Sequence, residues 1–291
     1  MDIDLLSATG LDPQALERQT RRLLANAATP WLNELLAARM AERLQWIKAE
    51  VRQAWLWQGL WGGGAQALRA RYPKAELCAL EDAAAPLLQA RKPWWRKADW
   101  LAMDAAPEGQ AQLLWAPLGL VAAPAPRALL ARWHALLAEQ GFLMVSSFGP
   151  DSFIELRQLY AREGFGELAP HWVDLHDLGD QLVEAGFAEP VMDQERLRLT
   201  WSDAEALWQD LARLGGNLHA ARFVGLRTPR WKARWRQAVD GSLRGADGRI
   251  GLTLEFVCGH AIKPEPRLPV QQGETRIGLD ALRRQLQRRG A

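Results

Sequence analysis

Apolar positions along the first 50 residues recur at helical spacing. Residues 12–24 and 31–49 read as helices. In the second, Leu32, Leu35, Leu36, Met40, Leu44 and Ile47 repeat at intervals of three and four with Arg and Glu between them. Pro30 suits the first turn of that helix. The pattern then changes. A short apolar run, Ala54 to Trp57, is followed by Gly59, Gly62, Gly63 and Gly64, a helical segment, and a second apolar run, Leu77 to Leu80, ending at Glu81 and Asp82. Residues 51–82 therefore predict strand, glycine turn, helix, strand and acid. In such a unit the glycines let a nucleotide approach the backbone near a helix N-terminus, and the acid can accept hydrogen bonds from a ribose.

The alternation continues downstream. Residues 84–91 predict a short helix stopped by Pro93, Trp100 to Met103 a third strand ending at Asp104, and Ala111 to Trp115 a fourth. Residues 125–139 predict an amphipathic helix, and Phe142 to Ser147, apolar without alternation, a fully buried fifth strand. Pro150 to Tyr160 opens a helix, and 161–172 reads as a loop. Asp174 caps a helix closed at Gly186, 187–200 is a strand, and Ser202 caps a helix running to about Leu214. Residues 217–249 are mixed, and 248–263 form a strong late strand. Pro264, Pro266 and Pro269 lead to a short basic helical tail. Five βα units and a two-strand ending predict an α/β fold, a doubly wound and mostly parallel seven-stranded sheet with helical lid insertions. The implied organisation is an N-terminal helical lid (1–50), a main domain (51–263, with insertions at about 150–175 and 202–247) and a linker with tail (264–291).

Composition changes this picture in three places. Among 291 residues, 48% are hydrophobic and 24% charged, ordinary for a globular protein, but 15 are tryptophan. Most of these, such as Trp55, Trp133 and Trp208, stand singly at helix or strand positions and read as packing. No apolar run reaches the roughly 20 residues of a membrane helix, and no secretory signal opens the chain, so a cytoplasmic protein is expected. Cys78 and Cys258 lie in strand-like apolar runs and read as buried, reduced thiols. The net charge of +2 hides a basic sector, for residues 213–249 hold nine Lys/Arg against two acids. Such a sector suits an acidic partner docking on one side, or is simply a solvated arginine-rich face. Its RTPRWKARWR stretch (227–236) interleaves bases with aromatics, a pattern compatible with nucleic acid.

Four stretches point to a family: LLAARMAERLQWIKAE (35–50), FGPDSF (148–153), DLHDLGDQLVEAGFAEPVMDQERLRLT (174–200) and DLARLGGN (210–217). With these the chain resembles the class I S-adenosylmethionine (SAM) methyltransferases of biotin synthesis, the malonyl-acyl-carrier-protein O-methyltransferases, over roughly residues 20–263. A related branch with the same late motifs includes complex I assembly factors that hydroxylate arginine. The resemblance implies SAM as cofactor and an acidic acyl carrier protein as partner, docking on 213–249. It also implies methyl transfer to the free carboxylate of a malonyl thioester. Cofactor contacts fall on Gly59 and Gly63 of the glycine turn, on Glu81 for the ribose and on Asp104 for the adenine side. His219 and Arg222, just after the GGN motif, are the candidate acceptor-binding pair, with Arg222 suited to a carboxylate.

The chain also departs from the family. Where an acid precedes the glycines it has Trp57, and at the middle glycine it has Trp61. After the fourth strand, Ala116-Pro117 stands where Ser-Asn is usual. These departures support an alternative, a catalytically inactive methyltransferase-fold protein acting as a binding or assembly partner. A nucleic-acid methyltransferase is a further alternative, but the Asn/Asp-Pro-Pro-aromatic motif is missing. An ionised carboxylate acceptor needs positioning more than acid–base help, so no catalytic residue is assigned. Asp174, His176, Asp177 and Asp180 match a helix N-terminus better than a metal site.

Overall fold

The computed structural model describes residues 10–25, 29–81 and 100–265. The expected helix at 84–91 and the basic tail lie outside them. The described chain runs α1 (Pro13–Ala25), α2 (Trp31–Glu42), β1 (Gln53–Trp57), α3 (Ala65–Arg71), β2 (Glu76–Glu81), β3 (Trp100–Ala102) and β4 (Ala111–Ala116). It continues through α4 (Pro126–Leu136), β5 (Leu137–Phe148), α5 (Ile154–Glu163), α6 (Leu175–Glu184), β6 (Ala188–Trp201), α7 (Ala204–Arg213), α8 (Pro229–Leu243) and β7 (Ile250–Ile262). The seven strands form one sheet in the order β3-β2-β1-β4-β5-β7-β6. Pairs among β1 to β5 are parallel, and β7 lies antiparallel between β5 and β6. This is the mostly parallel seven-stranded sheet that the strand–helix rhythm predicts. No helix among the described residues is long and apolar enough to cross a membrane.

The sheet separates two apolar layers, because alternate residues of a strand face opposite sides. On β4, Leu113 and Trp115 join a layer with Leu36, Phe148 and Trp235. Leu114 and Ala116 join the other, with Trp57, Trp133 and Leu178. Several tryptophans do serve as packing, since Trp115, Trp133 and Trp235 are fully buried. Cys258 is buried and Cys78 half-buried.

Three boundaries differ from the periodicity reading, each for a long-range reason. The second helix stops at Glu42, passes through a 3-10 turn at Arg43–Trp46 and does not reach residue 49. The Arg71 guanidinium there donates to the Leu44 and Ile47 carbonyls, at 3.3 and 3.0 Å. The helix expected over 125–139 ends at Leu136. The amide nitrogens of Gly109 and Gln110 bond its last carbonyls, at Ala135 and Leu136, and Lys263 Nζ reaches Leu137 O at 2.7 Å. Residues 150–153, expected as the start of a helix, instead bolt the FGPDSF turn to β7. Ser152 Oγ donates to Glu255 O at 2.9 Å, and the Asp151 amide donates to Glu255 Oε2 at 2.8 Å. Caps follow local chemistry. Asp174 accepts from the Asp177 amide at 2.8 Å as expected, but the cap of α7 is Asp203, which accepts from the Ala206 amide, while Ser202 supports it.

The mixed region 217–249 holds α8, which buries Trp235 and Val239 against the sheet. Much of its positive charge is neutralised locally. Glu205 pairs with Lys232 and Arg236, Glu163 with Arg234, and Asp240 with Arg244.

Candidate cofactor and acceptor site

The C-terminal ends of β1, β2 and β4 open onto a cavity of about 330 Å³. That is the crevice where ligands bind in open α/β sheets, and the volume lies at the small end of ligand pockets. Trp57, Trp61, Glu81 and Met103 line it, together with Gly119 and the small-residue run Ala122 to Ala125. The helix α1 closes one side through Leu16 and Thr20.

Glu81 ends β2 with its side chain fully buried. Its Oε1 accepts from the Leu60 amide at 3.2 Å. Its Oε2 has no hydrogen-bond partner among the described residues. Burial pushes the carboxyl up to about 8 against an ordinary 4.5, and the single amide bond only partly opposes this. An unpartnered, buried acceptor in the wall of a cavity costs stability unless a ligand donor meets it. A ribose diol supplies such donors, so this position fits the nucleoside end of SAM.

The glycine turn is built by packing. Gly63 and Gly64 take left-handed backbone, at φ +90° and +86°. A Cβ on Gly64 would lie 2.7 Å from Trp115 Nε1, which itself donates to Gly63 O at 3.1 Å. A Cβ on Gly59 would lie 2.8 Å from that of Ala79. The start of α2 clamps the turn, with Asn33 Nδ2 donating to Trp61 O at 3.2 Å and the Gly64 amide donating to Glu34 Oε2 at 3.2 Å. Gly59 and Gly63 are not among the residues that line the cavity, and Gly63 packs against the backbone of Asn33 and Glu34. Gly64→Ala is expected to cost roughly 2 kcal/mol or more, from backbone strain and overlap with Trp115, measurable by chemical denaturation.

The two tryptophans behave differently. Trp57, where the family has an acid, is buried and meets Trp133 edge-on, with centroids 5.5 Å apart and planes at 67°. Its indole N–H has no partner among the described residues, so this wall offers a donor where a carboxylate would offer an acceptor. Trp61 has ordinary backbone and packs against Leu23, Leu24 and Trp100, so it joins α1 to the sheet edge.

Asp104 lies in the 3-10 turn after β3, exposed, next to the cavity residue Met103. His219 and Arg222 are together but outside this cavity, at the N-terminal end of α1. His219 forms an isolated bridge with Leu11, and its imidazole is held below its ordinary pKa mainly by burial. Arg222 binds Asp12, and its guanidinium holds that carboxyl below the usual range, helped by the Ala15 amide. The GGN region therefore ties down the start of α1. Arg222→Ala is expected to speed proteolytic clipping of the segment carrying α1 while the sheet stays intact, which limited proteolysis with mass analysis would read.

Periodicity does not single out the cavity residues Leu16 and Thr20 or the wall after β4. The one signal for the wall was the small-residue run between Ala116 and Pro126. A cell of about 40 Å³ borders this wall at Ala123. It contains Ser147, near the end of β5, and Gln181 of α6, both buried, and Gln181 Oε1 has no partner among the described residues.

No family model matches the chain. Sequence comparison does find relatives. A malonyl-(acyl-carrier protein) O-methyltransferase from Gallionella capsiferriformans is 36% identical over 275 residues, 88% of this chain and 91% of that protein. One of the same name from Laribacter hongkongensis is 38% identical over 79% of this chain and 82% of its own. One from Halorhodospira halophila is 31% identical over 94% and 98%. Among solved structures, the YcgJ protein from Bacillus subtilis is similar at 9% identity, covering 80% of this chain and 99% of that one with a TM-score of 0.48. Haemonchus contortus phosphoethanolamine N-methyltransferase 2 in complex with S-adenosyl-L-methionine is similar at 12% identity, covering 81% and 54% with a TM-score of 0.41. The chain has the Rossmann-like class I methyltransferase fold and belongs to the malonyl-(acyl-carrier protein) O-methyltransferase family.

Proposed function

We propose that this protein is a cytoplasmic SAM-dependent O-methyltransferase of biotin synthesis that esterifies the free carboxylate of a malonyl thioester on an acyl carrier protein. The observation that carries the reading is the unpartnered Oε2 of Glu81 in the crevice of a chain whose relatives bear that activity in their names. Bound there, SAM supplies an electrophilic methyl group on a sulfonium, and a carboxylate oxygen takes it with no proton transferred. The work left to the protein is positioning and exclusion of water. Glu81, once ionised, accepts from the ribose. The α1 lid, through Leu16 and Thr20, shields the reacting groups. Gln181 and Ser147, beside the cofactor cavity, supply polar groups for the acceptor end. The carrier protein docks on the basic sector, where Phe223, Val224 and Leu226 are exposed beside the arginines.

The binding-partner reading rests on Trp57, which leaves Glu81 as the one carboxylate in the cavity wall among the described residues. Complementation separates the two. Expression in a bacterium lacking its own malonyl-carrier methyltransferase is expected to restore growth without biotin. Failure by folded, expressed protein would favour the binding partner.

A further inference from the structure

Arg18 and Arg22 stand one turn apart on α1, both exposed and without a carboxylate partner among the described residues. Arg21, between them, pairs with Glu17 at 2.5 Å. Like charges at this spacing repel, a cost that a bound anion removes. The two arginines line a cleft of about 250 Å³ between α1 and the segment 215–231, whose walls contain no Asp or Glu among the described residues. Arg222 and Arg227 line it too but are already engaged. Arg222 is held by Asp12, and Arg227 donates to Phe165 O at 2.8 Å with its guanidinium between the rings of Phe223 and Trp231, 4.1 and 4.2 Å from their centroids.

The cleft is the outer end of a row of cavities. It shares Arg22, Tyr160, Trp208 and Asn217 with an apolar cavity of about 310 Å³ walled by Phe148, Phe153, Leu156 and Trp172. That cavity shares Val121, Pro170 and Trp172 with the small cell holding Ser147 and Gln181, which in turn meets the cofactor cavity at Ala123. The helix α1 lines three of the four cavities, all but the small cell, which meets the chain just before it at Leu11. It gives Arg18 and Arg22 to the cleft, Gln19 and Arg22 to the apolar cavity, and Leu16 and Thr20 to the cofactor cavity.

We infer that this row is the acceptor channel and that Arg18 and Arg22 form a phosphate subsite at its mouth. The subsite takes the phosphodiester of a linear acyl-thioester arm whose stem lies in the apolar cavity. The inference rests on the reading of the acceptor as a carrier-bound thioester. Guanidinium groups pair with phosphate oxygens in forked, charge-assisted hydrogen bonds, and two on consecutive turns can grip one phosphate. The apolar chamber behind them suits a narrow chain rather than a polymer.

The test compares binding of phosphopantetheine with that of pantetheine, which lacks the phosphate, to the full-length protein. Quenching of tryptophan fluorescence reads binding, since Trp208 and Trp231 line the cleft. Wild type is expected to prefer the phosphorylated arm by about tenfold or more, with inorganic phosphate competing. Arg18→Glu/Arg22→Glu is expected to lose that preference while keeping its affinity for pantetheine and for S-adenosylhomocysteine, and Arg69→Glu on α3 is expected to behave as wild type. Equal binding of the two arms by wild type, or a preference that survives in the double variant, would overturn the subsite. So would a double variant that loses the armless carrier protein as strongly as the armed one, since the arginines would then read the carrier's surface. None of these readouts needs methyl transfer, so an inactive protein would count against the proposed function and leave the subsite to be judged on its own.

Discussion

Glu81→Ala is expected to weaken S-adenosylhomocysteine binding by roughly a hundredfold or more, because two charge-assisted hydrogen bonds to a ribose diol are lost from a water-poor site. The same carboxyl predicts how binding varies with pH. In the unliganded protein it titrates near 8, and a donor-rich ligand prefers the ionised form. Affinity is therefore expected to rise with pH up to about 8 and level off above it. Binding at neutral pH is expected to release protons, seen by calorimetry in buffers of different ionisation enthalpy. Stability runs the other way. Because the folded-state pKa lies above the ordinary 4.5, the folded protein holds the proton more tightly. Its stability is full below about 4.5, falls as pH rises to about 8 and is flat beyond. The total loss is of order several kcal/mol at 1.36 kcal/mol per unit. Glu81→Gln keeps an acceptor for the Leu60 amide and removes the titration. It is expected to be more stable than wild type at high pH and yet bind the cofactor less well. A variant with unchanged affinity and unchanged pH dependence would take Glu81 out of the site.

Trp57→Asp restores the family's acid and is expected to fail as a repair. The ring is 3% exposed, and it packs edge-on against Trp133 and over Gly119, where a Cβ would lie 3.1 Å from Trp57 Cδ1. Its loss opens a cavity and leaves a carboxylate in an apolar layer. The cost is about 4 kcal/mol or more, with a fall in Tm of roughly 8–15 °C. Cofactor affinity is not expected to improve, because the new carboxylate faces the same cavity as Glu81 and each disfavours ionisation of the other. A variant of normal stability that bound S-adenosylhomocysteine more tightly would show that Trp57 is a defect in the pocket rather than part of its frame.

Much of the architecture was legible because it rests on local periodicity. The glycine turn between two short apolar runs announces the first βαβ unit, and Glu81 is visible as the acid that ends β2. What could not be read depends on partners distant in sequence. Arg222 looked like a free cation for an acceptor, but its partner Asp12 is 210 residues away. The helix ending at Leu136 stops where amides from elsewhere take its carbonyls, and the turn that follows Glu42 is held by the Arg71 side chain. Trp57 read as damage to a cofactor motif because its fit against Trp133 and Gly119 is tertiary. Leu16 and Thr20 of α1 carry no signal beyond their place on a helix face, since a residue turned toward a cavity and one turned toward a core share the same periodicity. The basic sector holds as a count, but four of its charges, Lys232, Arg234, Arg236 and Arg244, are answered by Glu163, Glu205 and Asp240, while Arg18 and Arg22 lie on α1, outside the sector.

The most direct test of the account is methyl transfer by the purified protein from isotopically labelled SAM to malonyl-acyl carrier protein, read by mass spectrometry of the intact carrier. Label is expected as a methyl ester on the malonyl group, in amounts that exceed the enzyme many times over and that fall sharply with Glu81→Ala when SAM is limiting. Unlabelled carrier, from folded protein at saturating SAM, would contradict it.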